Sequence, residues 1–92
     1  MSDTHRCFFS GQILSGYAEA TRNGRRTVVA KLPETGEYTV TSEGLAVLPQ
    51  LTEAEKRIIY DMLVANHAEG GGMLTVSRSF IESMVEREFD DA

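Results

Sequence analysis

Cysteine occurs once in this 92-residue chain and proline twice. One cysteine excludes an internal disulfide, and a free thiol fits a reducing compartment. No apolar run reaches the length of a membrane span, so no membrane partner is expected. The opening MSDTHRCFFS has no basic segment leading into a long apolar one. It does not read as a secretory signal, and the expected location is cytoplasmic. Positive charge is also scarce. Nine Lys and Arg face fourteen Asp and Glu, for a net charge of −5. A generic nucleic-acid binder needs cationic surface to displace counterions, and this balance argues against one.

The deficit is uneven. Residues 1–50 carry five charges of each sign, whereas residues 51–92 carry four cations against nine anions. A local basic patch in the first half and an acidic face in the second are both open to a partner. The apolar share of 41% fits one ordinary globular domain, and residues 1–92 are read as such.

The first half reads as β. Two strand-like runs, QILSGYAEATR and RRTVVAKL, flank Asn23-Gly24. Asn-Gly in that setting is a strong hairpin signal, because both turn residues must accept positive φ. A two-residue loop pairs Arg22 with Arg25, Ala20 with Thr27 and Ala18 with Val29. Val28, Ala30 and Leu32 then share one face. Residues 37–40 follow the Gly36 turn as a third strand, and CFF at 7–9 reads as buried strand.

The second half reads as helix. TSEGLAVLPQ suggests a short piece over 42–48, capped by Thr41 or Ser42 and stopped by Pro49. Leu45, Ala46 and Leu48 form its expected buried face. Thr52-Glu53-Ala54-Glu55 is a capping box. Beyond it Ala54, Ile58, Met62 and Ala65 recur at helical spacing, with Ile59 and Leu63 beside them. The seam at 59 and 63 suits either core or a dimer contact. Gly70-Gly71-Gly72 ends this helix. Ser79-Phe80-Ile81-Glu82 resembles a second capping box, with Thr75 and Ser77 as rival caps. Phe80, Ile81, Met84, Val85 and Phe89 form the next apolar stripe, and the expected helix runs on through an acidic end to Asp91. The expected fold is α+β. A three-stranded antiparallel sheet occupies a β-rich part, 4–41. Two main helices and a short linking helix occupy 42–90.

Cys7 and Ser10-Gly11 have the spacing of a knuckle, C-x-x-C-G, with serine in place of the second thiol. LPETGEY at 32–38 has the spacing of C-P-x-C-G-x-Y, with Leu32 and Thr35 at the thiol positions. With the Tyr38-Thr39-Val40-Thr41 run and the helices that follow, residues 7–69 resemble small bacterial zinc-ribbon modules. Gly11, Pro33, Gly36 and Tyr38 match that pattern. Of its four ligand positions only Cys7 does. Zinc wants about four Cys or His ligands, so the resemblance implies a module that has lost its metal. No metal or cofactor is expected. In that reading Leu32 fills the hollow, and Ser10 and Thr35 hydrogen-bond the turn amides. His5, Cys7 and His67 offer a remote alternative site.

No nucleophile, base and orienting group stand in a recognisable set. Cys7 sits in an apolar run, where a thiol is usually inert. Gly70-Gly71-Gly72 lacks the Lys-Ser/Thr of a phosphate loop. The expected function is therefore non-enzymatic binding. Arg22, Arg25 and Arg26 surround the hairpin turn, with Lys31 further along. They suit phosphate or an acidic protein patch. Glu82, Glu86, Glu88 and Asp90 suit a basic groove on a partner, where opposed charge speeds and orients encounter. In size and charge the chain is similar to small phage anti-defence proteins, anti-CRISPR proteins among them. The similarity implies an inhibitor of a nucleoprotein complex of a bacterial host, acting in the host cytoplasm. The arginines would then meet RNA or acidic protein, and the acids would cover lysines that hold DNA. The alternative is a metal-free zinc-ribbon-like adaptor that binds nucleic acid through the same arginines.

Overall fold

The structure is a computed structural model that describes residues 5–89. Its class is α+β, as expected from the sequence. Strands β1 (Gly16–Arg22), β2 (Arg25–Leu32) and β3 (Gly36–Val40) form an antiparallel meander. A fourth strand, β4 (Leu74–Val76), adds to β3 in parallel, so the sheet is mixed, in the order β1-β2-β3-β4. The sequence predicts three strands, all before residue 42, so β4 is a correction to it. The polypeptide crosses from β3 to β4 through α1 (Ser42–Val47), a 3-10 turn (Leu48–Gln50) and α2 (Glu53–Ala68). A crossover of helical content is what parallel pairing requires. Helix α3 (Arg78–Val85) closes the fold. No helix among the described residues is long and apolar enough to cross a membrane.

The Asn-Gly turn sets the hairpin register. Asn23 and Gly24 both have positive φ, 54° and 75°, as a mirror-image turn needs. Arg22 then faces Arg25, Ala20 faces Thr27 and Ala18 faces Val29. Strand alternation sends Val28, Ala30 and Leu32 inward with Tyr38, Val40 and Val76, and all six are buried. The other face carries Ala18, Ala20, Thr27, Val29, Lys31, Glu37, Thr39 and Thr75, none of them buried. The helices therefore cover one face of the sheet and leave the other open.

Side-chain caps define the helices. Thr41 accepts the Gly44 amide hydrogen bond for α1, and Thr52 with Glu55 completes the expected capping box on α2. Ser77, one of the rival caps, starts α3 by accepting from Phe80 N–H. Helix α1 lies close on the sheet. A β-carbon on Gly44 would stand 2.5 Å from the Val76 carbonyl oxygen, so only glycine fits this approach. The buried residues of α1 are Gly44 and Val47, and Ala46 is exposed, which shifts the expected apolar face by one residue. On α2 the buried pair is Ile59 and Leu63, which assigns that seam to the core. Ile58 and Met62 point outward.

The C-terminal segment departs most from expectation. Helix α3 ends at Val85 because Glu86 adopts the left-handed conformation, φ 55°. The turn lets Phe89 bury against the core. Arg87 then reaches back to α2. Its Nε donates to Glu55 Oε2 at 2.7 Å and its Nη2 to Glu55 Oε1 at 3.0 Å and to the Gln50 carbonyl at 2.9 Å. These bonds, with the Thr52 amide, hold the Glu55 carboxyl at about 2, well below the ordinary carboxylate range. The folded value is depressed, so the stabilisation is full above the unfolded value, about 4.3. It is lost as the pH falls from there through about 2. Arg87→Ala is expected to return the Glu55 titration toward the ordinary range. A carboxyl-carbon NMR titration of native protein and variant checks this.

Candidate interface at the arginine hairpin

The hairpin tip combines three arginines that the structure separates by face. Arg22 and Arg25 sit opposite each other across the turn and share the open face with Thr27 and, further along β2, Lys31. Arg22, Asn23, Arg25 and Thr27 together line a shallow depression at the tip. Arg26 belongs to the other face, where its Nε meets Glu19 Oε1 at 2.6 Å. Arg25 Nη1 donates to Glu43 Oε2 at 3.0 Å. Both ion pairs are exposed, so each contributes little and yields readily to a competing anion. Arg22 has no acidic partner among the described residues. Lys31 lies opposite Glu37 in the register, at the far end of the open face. Between these charged ends runs a neutral row, Ala18, Val29, Thr39 and Thr75, one residue from each strand.

The acidic set does not form a strip on one helix. Glu82 is engaged within the chain: Arg78 Nε donates to its Oε2 at 3.1 Å, and the Phe89 amide donates to the same oxygen at 3.0 Å. Arg78 also donates to the Phe89 carbonyl. Glu82 thus anchors the C-terminal turn. Glu86 occupies the left-handed cap and Glu88 lies beyond it, so neither continues the helical face. Asp90, and Asp91 with it, lie outside the described residues. The acids scatter because burying Phe89 bends the chain where helix was expected to continue.

The knuckle-like positions divide between turn and core. CFFSG forms a turn rather than the expected strand: Gly11 N–H bonds the Cys7 carbonyl, and Cys7 N–H bonds the Gln12 carbonyl. Gly11 and Gly36 both carry positive φ, 78° and 64°, one in each knuckle-like turn. Cys7, Leu32 and Thr35 are buried, and Ser10 is exposed. Ser10 Oγ accepts from the Gln12 amide, as expected of it, whereas Thr35 Oγ1 donates to the Gly36 carbonyl. Cys7 Sγ lies 3.2 Å from the Tyr38 hydroxyl. Burial, chiefly, and that contact push the Tyr38 phenol well above its ordinary value.

The remote site of His5, Cys7 and His67 is not assembled. His5 stacks on the Tyr17 ring, with centroids 3.6 Å apart, and His67 packs against Gly36. Among the described residues no three His, Cys, Asp or Glu side chains converge as metal ligands. One polar cluster escaped sequence reasoning. Tyr60 Oη donates to Glu34 Oε2 at 3.0 Å and lies 3.2 Å from Gln12 Oε1. It ties α2 to both knuckle-like turns. Desolvation and the Glu34 carboxylate raise the Tyr60 phenol above its ordinary value. No local pattern announces this contact, since its members lie 26 and 48 residues apart.

Comparison with known proteins finds no matching family model, no matching curated protein and no matching solved structure.

Proposed function

We propose that the chain is a non-enzymatic binding protein that docks an acidic protein surface through Arg22 and Arg25. The observation that carries this reading is the pairing of two arginines directly opposite each other at an exposed turn. Like charges in that position destabilise a hairpin slightly. An anionic group seated between them relieves the repulsion and gains two charge-assisted hydrogen bonds. The neutral row along the open face offers an uncharged surface beside the tip. Inhibition of a bacterial nucleoprotein complex, in the manner of phage anti-defence proteins, is the expected consequence of covering an acidic protein patch on it. The arginines carry the contact in this reading, since Glu82 is committed to the C-terminal turn.

A nucleic-acid-binding adaptor is the second reading. It draws on the two glycine turns at knuckle spacing, which support descent from a ribbon that has lost its metal. The net charge of −5 weighs against it. Affinity capture from bacterial lysate, with and without nuclease, separates the two. Nuclease-resistant capture of a protein complex, lost with Arg22→Glu, supports docking on protein. Capture of nucleic acid alone, lost with nuclease, supports the adaptor.

A further inference from the structure

Strand β1 is an edge, and its free side has little of the usual protection. Edges are commonly blunted by short length, lysine, proline or a bulge. The opposite edge, β4, has three residues. β1 has seven, with neither lysine nor proline among them, and its inward-facing charge, Glu19, is neutralised by Arg26. A two-residue turn closes on a hydrogen-bonded pair, so Arg22, Ala20 and Ala18 direct their backbone groups to β2. Glu19 and Thr21 direct theirs outward. Those outward groups meet no backbone partner among the described residues.

We propose that β1 pairs with β1 of a second copy of this chain. The strands run antiparallel, with Ala20 facing Ala20 of the second copy, and the two four-stranded sheets become one. The symmetry selects this register. A two-fold axis through an antiparallel pair places one residue opposite itself. Centring on Glu19 sets two carboxylates face to face, which disfavours pairing. Centring on Ala18 sets Glu19 of the second copy opposite Tyr17, beside Ala30 and away from Arg26. Centring on Thr21 leaves most of the strand beyond the overlap.

Centring on Ala20 gives complementary neighbours on both faces. Glu19 and Thr21 exchange backbone hydrogen bonds with Thr21 and Glu19 of the second copy, about four in all. On the inner face Arg26 lies beside Thr21 in its own chain. Glu19 of the second copy arrives on the far side of Thr21, so each Arg26 gains a second carboxylate neighbour. On the open face Arg22 comes opposite Ala18 of the second copy, and the small side chain leaves room for the arginine stem. The tips of the two hairpins then point in opposite directions along the joined sheet.

Sedimentation equilibrium on the purified chain over a wide concentration range tests this without any partner. The mass is expected to rise from one chain to two. Thr21→Pro removes an outward N–H and leaves the β1–β2 ladder intact, and it is expected to stay monomeric with an unchanged circular dichroism spectrum. Ala20→Lys and Ala20→Glu place like charges opposite each other at the two-fold axis. Each is expected to weaken association at least about tenfold alone, and their mixture to restore it. A wild-type mass of one chain throughout overturns the proposal. So does dimerisation that survives both Ala20 variants separately. Because the test reads mass alone, its failure leaves the arginine docking site standing, and failure of partner capture leaves the dimer standing.

Discussion

Truncation of Tyr38 to alanine is expected to remove about 3–5 kcal/mol of folding stability. Tyr38 is fully buried in β3, between Ala30 of β2 and Leu74 of β4. Its ring lies against Phe9, with centroids 5.9 Å apart, so the loss also loosens the knuckle-like N-terminal turn. A chain of this length has a total stability of about 5–14 kcal/mol, at the usual value per residue. The loss is therefore at least about a fifth of the whole, and at the lower bound it unfolds the chain. Tyr38→Phe keeps the ring and removes only the hydroxyl. It is expected to cost about 0.5–1.5 kcal/mol, the usual net worth of a hydroxyl's hydrogen bonding, here to the weakly bonding Cys7 thiol and the Phe8 backbone. Urea unfolding of the three proteins measures both steps. Equal losses for the two variants would transfer the importance of Tyr38 from its ring to its hydroxyl, and with it to the contact with Cys7.

That pair marks where the knuckle spacing was informative and where it was not. Cys7 and Tyr38 were both legible as members of one pattern, 31 residues apart. Their direct contact was not, because spacing fixes a turn and says nothing of which side chains meet across a core. The hairpin was legible down to its register, since Asn-Gly fixes the loop and strand period fixes the faces. The caps were legible because they act within one turn of chain. Strand β4 was hidden for the opposite reason. Its three residues pair in parallel with β3, across an intervening stretch of helices, and no local turn signals that pairing. Helix α2 carries adjoining apolar rows at 58 and 62 and at 59 and 63. Either satisfies helical period, and only packing on the sheet selects the second. The end of α3 was not legible because Phe89 keeps the helical spacing of Phe80, Ile81, Met84 and Val85, while its burial and the bond from Arg87 to Glu55 both require the chain to turn. Tertiary contact overrode local propensity there. The same turn takes Glu86 and Glu88 off the helical face of Glu82, whereas the placement of the arginines depends only on the hairpin.

Arg22→Glu is expected to move stability and binding in opposite directions. The substitution places a carboxylate opposite Arg25, at a hydrogen-bonded pair beside the turn. It converts cross-strand repulsion into attraction, and the hairpin gains about 0.2–1 kcal/mol. Arg25 already shares its charge with Glu43, in a pair too exposed to resist rearrangement, so it is free to swing toward residue 22. Binding falls for the same reason that stability rises. The anion of the partner loses one guanidinium and finds the other neutralised. An arginine at the centre of an interface typically carries about 2 kcal/mol or more, so capture of the partner is expected to weaken at least about 30-fold. Arg26→Glu is the contrast. It faces the other side of the hairpin and breaks a pair with Glu19, so it is expected to lower stability slightly and leave capture nearly unchanged. Thermal melts and quantitative capture on the same three proteins read both effects. A structural role for Arg22 predicts that stability and binding fall together. A gain in one with a loss in the other identifies a residue kept for contact at the expense of its own hairpin.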